Sequence, residues 1–214
     1  MQAGRELPEL AMSMDVGAMP NRKERKLPPN QSWIGRILRW NVDHPGIVPE
    51  NPKTDLNSWR LTVDGEIENP TVLTWKDLLA LPAEESVSDF HCVEGWSVGE
   101  CRWFGTRFKD LVGIVKPRSD SKYVFFSCMD GYTTSLDLAD LMGEDVILAY
   151  KLNGEYLDET LGAPLRLIVP QKYAYKSAMY VEKITFMRSR KLGYWERLGY
   201  SDTADVWRND RRAR

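Results

Sequence analysis

The chain has 214 residues, 43% of them hydrophobic and 28% charged, the balance of a folded protein and not of a disordered one. At roughly 100–200 residues per domain this allows one large domain. With 29 Lys and Arg against 31 Asp and Glu, the net charge of −2 gives no electrostatic ground for a nucleic-acid partner.

Residues 1–32 mix Pro, Met and charge without helical or strand period and read as an extended N-terminal arm. They lack the charged-then-apolar order of a secretory signal, so a cytoplasmic location is expected, or a periplasmic one if the chain is a processed form. No run approaches the roughly 20 apolar residues that cross a bilayer, and direct membrane insertion is not expected. The domain proper is read as 33–214. It begins with an irregular stretch, Trp33 to Pro52, rich in Trp, Asn, His, Gly and Pro.

Trp59–Val63 alternates apolar and polar residues as a strand does, and Asp64-Gly65 supplies the reversal. Thr71–Leu73 is a second short strand. Thr74 caps a helix over Trp75–Leu81, with Asp77 in its first turn and Pro82 at its end. Ser86–Val93 reads as a strand running through Cys92. Residues 105–115 read as a helix whose Phe108, Leu111 and Val112 form one apolar stripe. Tyr123–Ser127 and Thr133–Leu136 are strands joined by the Asp130-Gly131 turn. Leu138–Met142 is a helical turn, Val146–Leu152 a strand ending at Asn153-Gly154, and Val181–Met187 a half-buried strand. Many short strands with few short helices make a single, mixed, β-rich α+β domain.

Three cysteines, Cys92, Cys101 and Cys128, form no CxxC pair and no zinc spacing with His44 and His91. Cys92 lies in Phe90-His91-Cys92-Val93-Glu94-Gly95-Trp96-Ser97, where a strand delivers a thiol to a glycine-containing turn. A thiolate there suits a soft transition metal. On the residues alone, a buried apolar filler is the competing reading. Arg166, inside the apolar run Leu165–Val169, is either an anion-binding fork or half of a structural ion pair. The 8 Trp and 9 Tyr suit a packed core or a deep cofactor cleft.

Five segments carry a resemblance: NSWRLTVDGEIENP (57–70), HCVEGWS (91–97), YVFFSCMDGYTTSLDL (123–138), GAPLRLIVPQKYAYKSAMYVEKI (162–184) and GYWERLGY (193–200). In this order and spacing, the chain resembles the sulfite oxidase family of molybdopterin enzymes. Within it, the nearest branch is that of the periplasmic methionine sulfoxide reductase catalytic subunit. The resemblance implies the sulfite-oxidase type of molybdopterin-binding fold and a molybdenum–molybdopterin cofactor with Cys92 as metal ligand. It implies cofactor contacts at Arg166, Lys176, Ser177, Ala178 and Met179, with Asn41 or His44 closing over the cofactor and Cys128 lining the pocket. Tyr132 and Lys176 become candidates for orienting substrate or moving a proton. Two positions depart from the pattern: Met179 stands where relatives have Lys, and Leu161 where the sulfoxide reductase branch has Asn.

The implied reaction is oxygen-atom transfer to or from a small sulfur or nitrogen oxide. The chain has no haem, flavin or iron–sulfur motif, so a separate electron carrier is expected, a cytochrome or a haem membrane subunit. Two other readings stay open on the sequence: a cofactor-free scaffold built on the same fold, and a thiol enzyme with Cys92 as nucleophile beside His91.

Overall fold

The computed structural model describes residues 25–213, so most of the expected 1–32 arm lies outside the described residues. The part within them is seated on the domain. Strand β1 (Ser32–Trp33) pairs in parallel with Trp96–Ser97, and Arg25 pairs with Asp89 at 2.5 Å.

Two sheets form the body. One is five-stranded, in the order β3 (Thr71–Thr74), β2 (Arg60–Gly65), β11 (Val181–Met187), β6 (Tyr123–Cys128), β7 (Thr133–Asp137). Its centre, β11, runs parallel to β2 and antiparallel to β6. Alternation does the sorting here. Leu61 and Val63 of β2 are fully buried while Arg60 is exposed, and each such side chain contributes about 1.5–3 kcal/mol by leaving water.

The other sheet is six-stranded and built on β5 (Trp96–Arg107), which pairs with β4 (Glu84–His91), β1 and β8 (Ile147–Leu152). Strand β8 then pairs with β9 (Glu155–Tyr156) and β10 (Arg166–Ile168). The twelve-residue β5 is absent from the sequence reading. It bulges between Phe104 and Gly105, which breaks the period that would have marked it. Gly105 is there because β8 runs hard against it: a Cβ would lie 2.0 Å from the Leu148 carbonyl oxygen.

Helix α1 (Trp75–Leu79) opens with a reciprocal cap. Thr74 Oγ1 accepts from Asp77 N at 3.2 Å, and Asp77 Oδ2 accepts from Thr74 N at 2.9 Å. The helix expected over 105–115 starts only at Phe108 (α2, Phe108–Val115), because residues 105–107 finish β5. It buries Phe108, Leu111 and Val115, with Val112 only partly covered. The short helices α3 (Leu138–Leu141) and α4 (Tyr194–Arg197) complete the set; α4 was not foreseen. Among the described residues no helix is long and apolar enough to cross a membrane.

Candidate functional site

Strand β4 ends at His91, so Cys92 sits in the turn and not on the strand proper. That turn is held by Cys92 N donating to Trp96 O at 2.9 Å and Gly95 N donating to Cys92 O at 3.1 Å. Gly95 adopts φ +105°, which only glycine takes without strain. Neighbouring segments grip the turn as well. Gln31 Nε2 donates to Cys92 O at 3.0 Å, Ser32 N to Gly95 O at 2.8 Å, and Arg211 to Val93 O.

Cys92 lines a cavity. Arg166 from β10 forms part of its wall, with Ser177 and Met179 just beyond the 3-10 turn Ala174–Lys176. Tyr132, Tyr175, Trp195 and Tyr200 add an aromatic side, and the loop of Trp40, His44 and Asn51 covers another. Arg166 is 3% exposed, its guanidinium 4.8 Å from the Phe90 ring centre and 5.6 Å from that of Trp103. Its Nη1 donates to Leu161 O at 3.1 Å, while Nε is buried with no partner. Among the described residues no carboxylate pairs with it. Burial alone pulls its pKa down to about 10. A buried cation without a carboxylate is costly unless an anion arrives.

Glu94 joins the parts of the mouth. It holds His44 Nε2 at 2.7 Å, accepts from Trp96 Nε1 at 3.2 Å, and lies 3.8 Å from Cys92 Sγ. His44 also packs edge-on against Trp40, centroids 4.7 Å apart. Asn51 accepts from Tyr180 Oη at 3.1 Å and donates to Trp40 O at 3.0 Å. Burial pushes the Cys92 thiol up to about 12, so its thiolate needs a positive partner. His91 does not supply one. It is buried on the other side, Nδ1 2.7 Å from Ser97 Oγ, which removes the base that a thiol-nucleophile reading requires.

Of the residues singled out in the sequence, Cys92, His44, Tyr132, Arg166, Ser177 and Met179 meet at the cavity. Four do not. Lys176 is fully buried behind it, donating to Ser135 O at 2.9 Å, to Glu196, and to Asp202 Oδ1 at 3.2 Å. The expectation that it faces an anion in the cavity is corrected, because two carboxylates already hold it. Asn41, at φ +58°, ties its own loop together through Gly46 N, Val48 O and Asn51. Cys128 and Ala178 pack in the apolar core instead of lining the cavity. Sequence reasoning passed over Glu94, Asn51 and Tyr180. Glu94 was in plain view in HCVEGWS and Tyr180 in the 162–184 segment; Asn51 comes from a stretch with no motif of its own.

A molybdopterin needs a sulfur ligand for its metal and a cationic hold for its phosphate. Cys92 and Arg166, which no carboxylate among the described residues holds, offer both on one cavity, and the chemistry of the pair fits the group. Residues 47–195 match the family model described as an oxidoreductase molybdopterin binding domain. The chain belongs to that family. Four of the five segments named above fall wholly inside the match, and the resemblance to sulfite-oxidase-like enzymes holds. The family member is 37% identical over 186 residues to the uncharacterized oxidoreductase YuiH of Bacillus subtilis (strain 168), which covers 87% of this chain and 91% of that protein. It is 32% identical over 156 residues to the protein-methionine-sulfoxide reductase catalytic subunit MsrP of Campylobacter jejuni, covering 65% of this chain and 52% of that one. The domain thus spans about half the length of that relative. In fold it is similar to the sulfane dehydrogenase SoxCD of Paracoccus pantotrophus, with TM-score 0.63 and 17% identity over 92% of this chain and 62% of that chain.

Proposed function

We propose that this oxidoreductase carries a molybdenum–molybdopterin cofactor on Cys92 and removes an oxygen atom from an uncharged sulfur oxide of the sulfoxide class. One observation carries the reading: the Cys92 thiol shares the cavity with a buried arginine that has no carboxylate partner among the described residues. When bound, the cofactor supplies the two-electron couple and the site at which oxygen is taken up. Everything else is the work of side chains.

Arg166, with the backbone near Ser177, would hold the anionic tail. Cys92 Sγ would hold the metal, with Arg211 fixing the turn through Val93 O. For the substrate, the cavity offers aromatic surface from Tyr132, Tyr175, Trp195 and Tyr200, and two carboxylates, Glu94 and Asp130. With Arg166 committed and Lys176 sequestered, no further lysine or arginine faces the cavity among the described residues. An aromatic and acidic wall rejects an oxyanion such as sulfite and accepts a neutral sulfoxide. The names of the sulfoxide reductase relatives support the same class. Tyr132 Oη donates to Tyr175 O at 2.5 Å, which fixes the ring in the wall and occupies its proton. Electrons come from a separate one-electron carrier, in keeping with relatives that are named as subunits.

Two measurements on protein made in cells with an intact cofactor pathway test this. Wild type should carry about one molybdenum per chain and Cys92→Ala essentially none. A folded Cys92→Ala protein that keeps the metal sinks the reading, and wild type without metal favours the scaffold alternative. Holoprotein should reduce sulfoxides with reduced viologen and turn over sulfite far more slowly with ferricyanide; the reverse preference overturns the substrate class.

A further inference from the structure

Behind the cavity, one exposed aromatic side chain reaches the residue next to Cys92. His91 turns away from the cavity, and its ring meets Trp207 edge-on with centroids 6.4 Å apart. Trp207 is 42% exposed, although its own segment is well anchored. Val206 beside it is fully buried, and Asp205 Oδ1 accepts from the backbone N–H groups of Trp207 and Arg208 at 2.9 and 3.0 Å. A large ring held rigidly half in water, at the end of a packed path to a candidate metal ligand, is poorly explained by core packing.

Its surroundings are basic. Lys26 Nζ stands 5.9 Å from the Trp207 ring centre. Arg208 follows it in sequence with a 79% exposed side chain, and its contact with Asp205 is long, at 3.7 Å. Arg211, from the same segment, spends its guanidinium on the carbonyls of Val93 and Asn30. The segment also carries Asp205 and Asp210, but both are only partly exposed and turned to hydrogen bonds within it, so the exposed charges beside the ring are those of Lys26 and Arg208. Charge of one sign around an exposed aromatic steers a partner of the opposite sign and gives it a surface to pack on.

We propose that Trp207, flanked by Lys26 and Arg208, is the docking face for an acidic one-electron carrier protein and the point at which electrons enter towards Cys92. The route runs from the Trp207 ring to the His91 ring and then along one peptide link to Cys92. It rests on the oxygen-atom-transfer reading above. Reduction of a sulfoxide consumes two electrons and two protons and yields a thioether and water, so the carrier delivers one electron in each of two encounters.

Flavodoxin, an acidic one-electron donor protein, is the probe. Carbodiimide should couple Lys26 to flavodoxin carboxylates, and high salt should suppress the coupling. In turnover, the ratio of flavodoxin-driven to viologen-driven rate should fall on the order of tenfold in both Trp207→Ala and the double variant Lys26→Glu/Arg208→Glu, because the small dye needs no protein face. Using the ratio within each variant removes any common effect of folding or metal content. The same ratio in wild type and both variants, with coupling confined to other lysines, overturns the proposal. Coupling needs no metal, so the two readings fail separately. A metal-free wild type that still couples through Lys26 removes the Cys92 reading and leaves the face. A metal-loaded protein whose ratio ignores both variants removes the face and leaves Cys92.

Discussion

Arg166 and Lys176 are both buried cations, they flank the same run of chain, and the structure treats them in opposite ways. Lys176 is neutralised on the spot by Glu196 and Asp202, with side-chain exposures of 1%, 1% and 21% along the network. Thr134 Oγ1 donates at 2.7 Å to the same Glu196 oxygen that Lys176 holds, while the other carboxylate oxygen is buried without a partner. Arg166 has aromatic faces, one carbonyl and a vacant Nε. Burial is common to both and therefore says nothing about role. What separates them is whether the protein brings its own anion. A cation that is buried and already paired is architecture; one that is buried and unpaired is set for a ligand.

The largest effect expected from that contrast is on stability. Lys176→Met leaves the Glu196 carboxylate in the interior without its partner and should cost about 3–5 kcal/mol in denaturant unfolding. Adding Glu196→Gln should recover much of the loss, since neither charge then remains. A single variant that loses less than about 1 kcal/mol would show that the pair is not what secures this region.

Arg166→Met should behave with the opposite sign. In cofactor-free protein it removes an uncompensated charge and should gain on the order of 1 kcal/mol. In cells that supply the cofactor, the same variant should lose molybdenum content on the order of tenfold. Unfolding of the apoprotein and metal analysis of the purified chain check the two halves. A large loss of apoprotein stability would make Arg166 structural, and the contrast with Lys176 would collapse.

That contrast also marks where the sequence stopped being readable. Alternation in Trp59–Val63 and Val181–Met187, and the Thr74–Asp77 cap, are local signals, and the elements they predict are present, the first strand as Arg60–Gly65. Strand β5 is set by partners on both sides and carries a bulge, so local period could not show it. At the site, Cys92 and Arg166 were legible through motif and chemistry. Lys176 was misplaced because its partners, Glu196 and Asp202, lie in a later segment that only the fold returns to it. Glu94 and Asn51 were missed for a related reason: each joins the cavity through contacts made to another loop. Trp207 lies beyond the recognised segments, and only its contact with His91 gives it meaning.

A smaller effect sharpens the same distinction with an anion in place of a cation. Asp130 lines the cavity and accepts from Tyr132 N at 2.9 Å, yet burial raises its carboxyl above the ordinary 3.8, and Glu182 adds to the rise. A carboxyl raised in the folded state holds more protons folded than unfolded across that window. Stability therefore falls as pH rises from about 3.8 through the folded value, and the loss persists above it. Asp130→Asn keeps an acceptor for Tyr132 N and removes the charge. The variant apoprotein should be more stable than wild type at pH 7, by less than the Arg166 effect, and the two should converge as pH drops below about 4. Urea unfolding across that range decides it. A difference that did not shrink on acidification would mean the Asp130 charge is already satisfied, as that of Lys176 is, and only Arg166 would remain as an unpaired group built for a ligand.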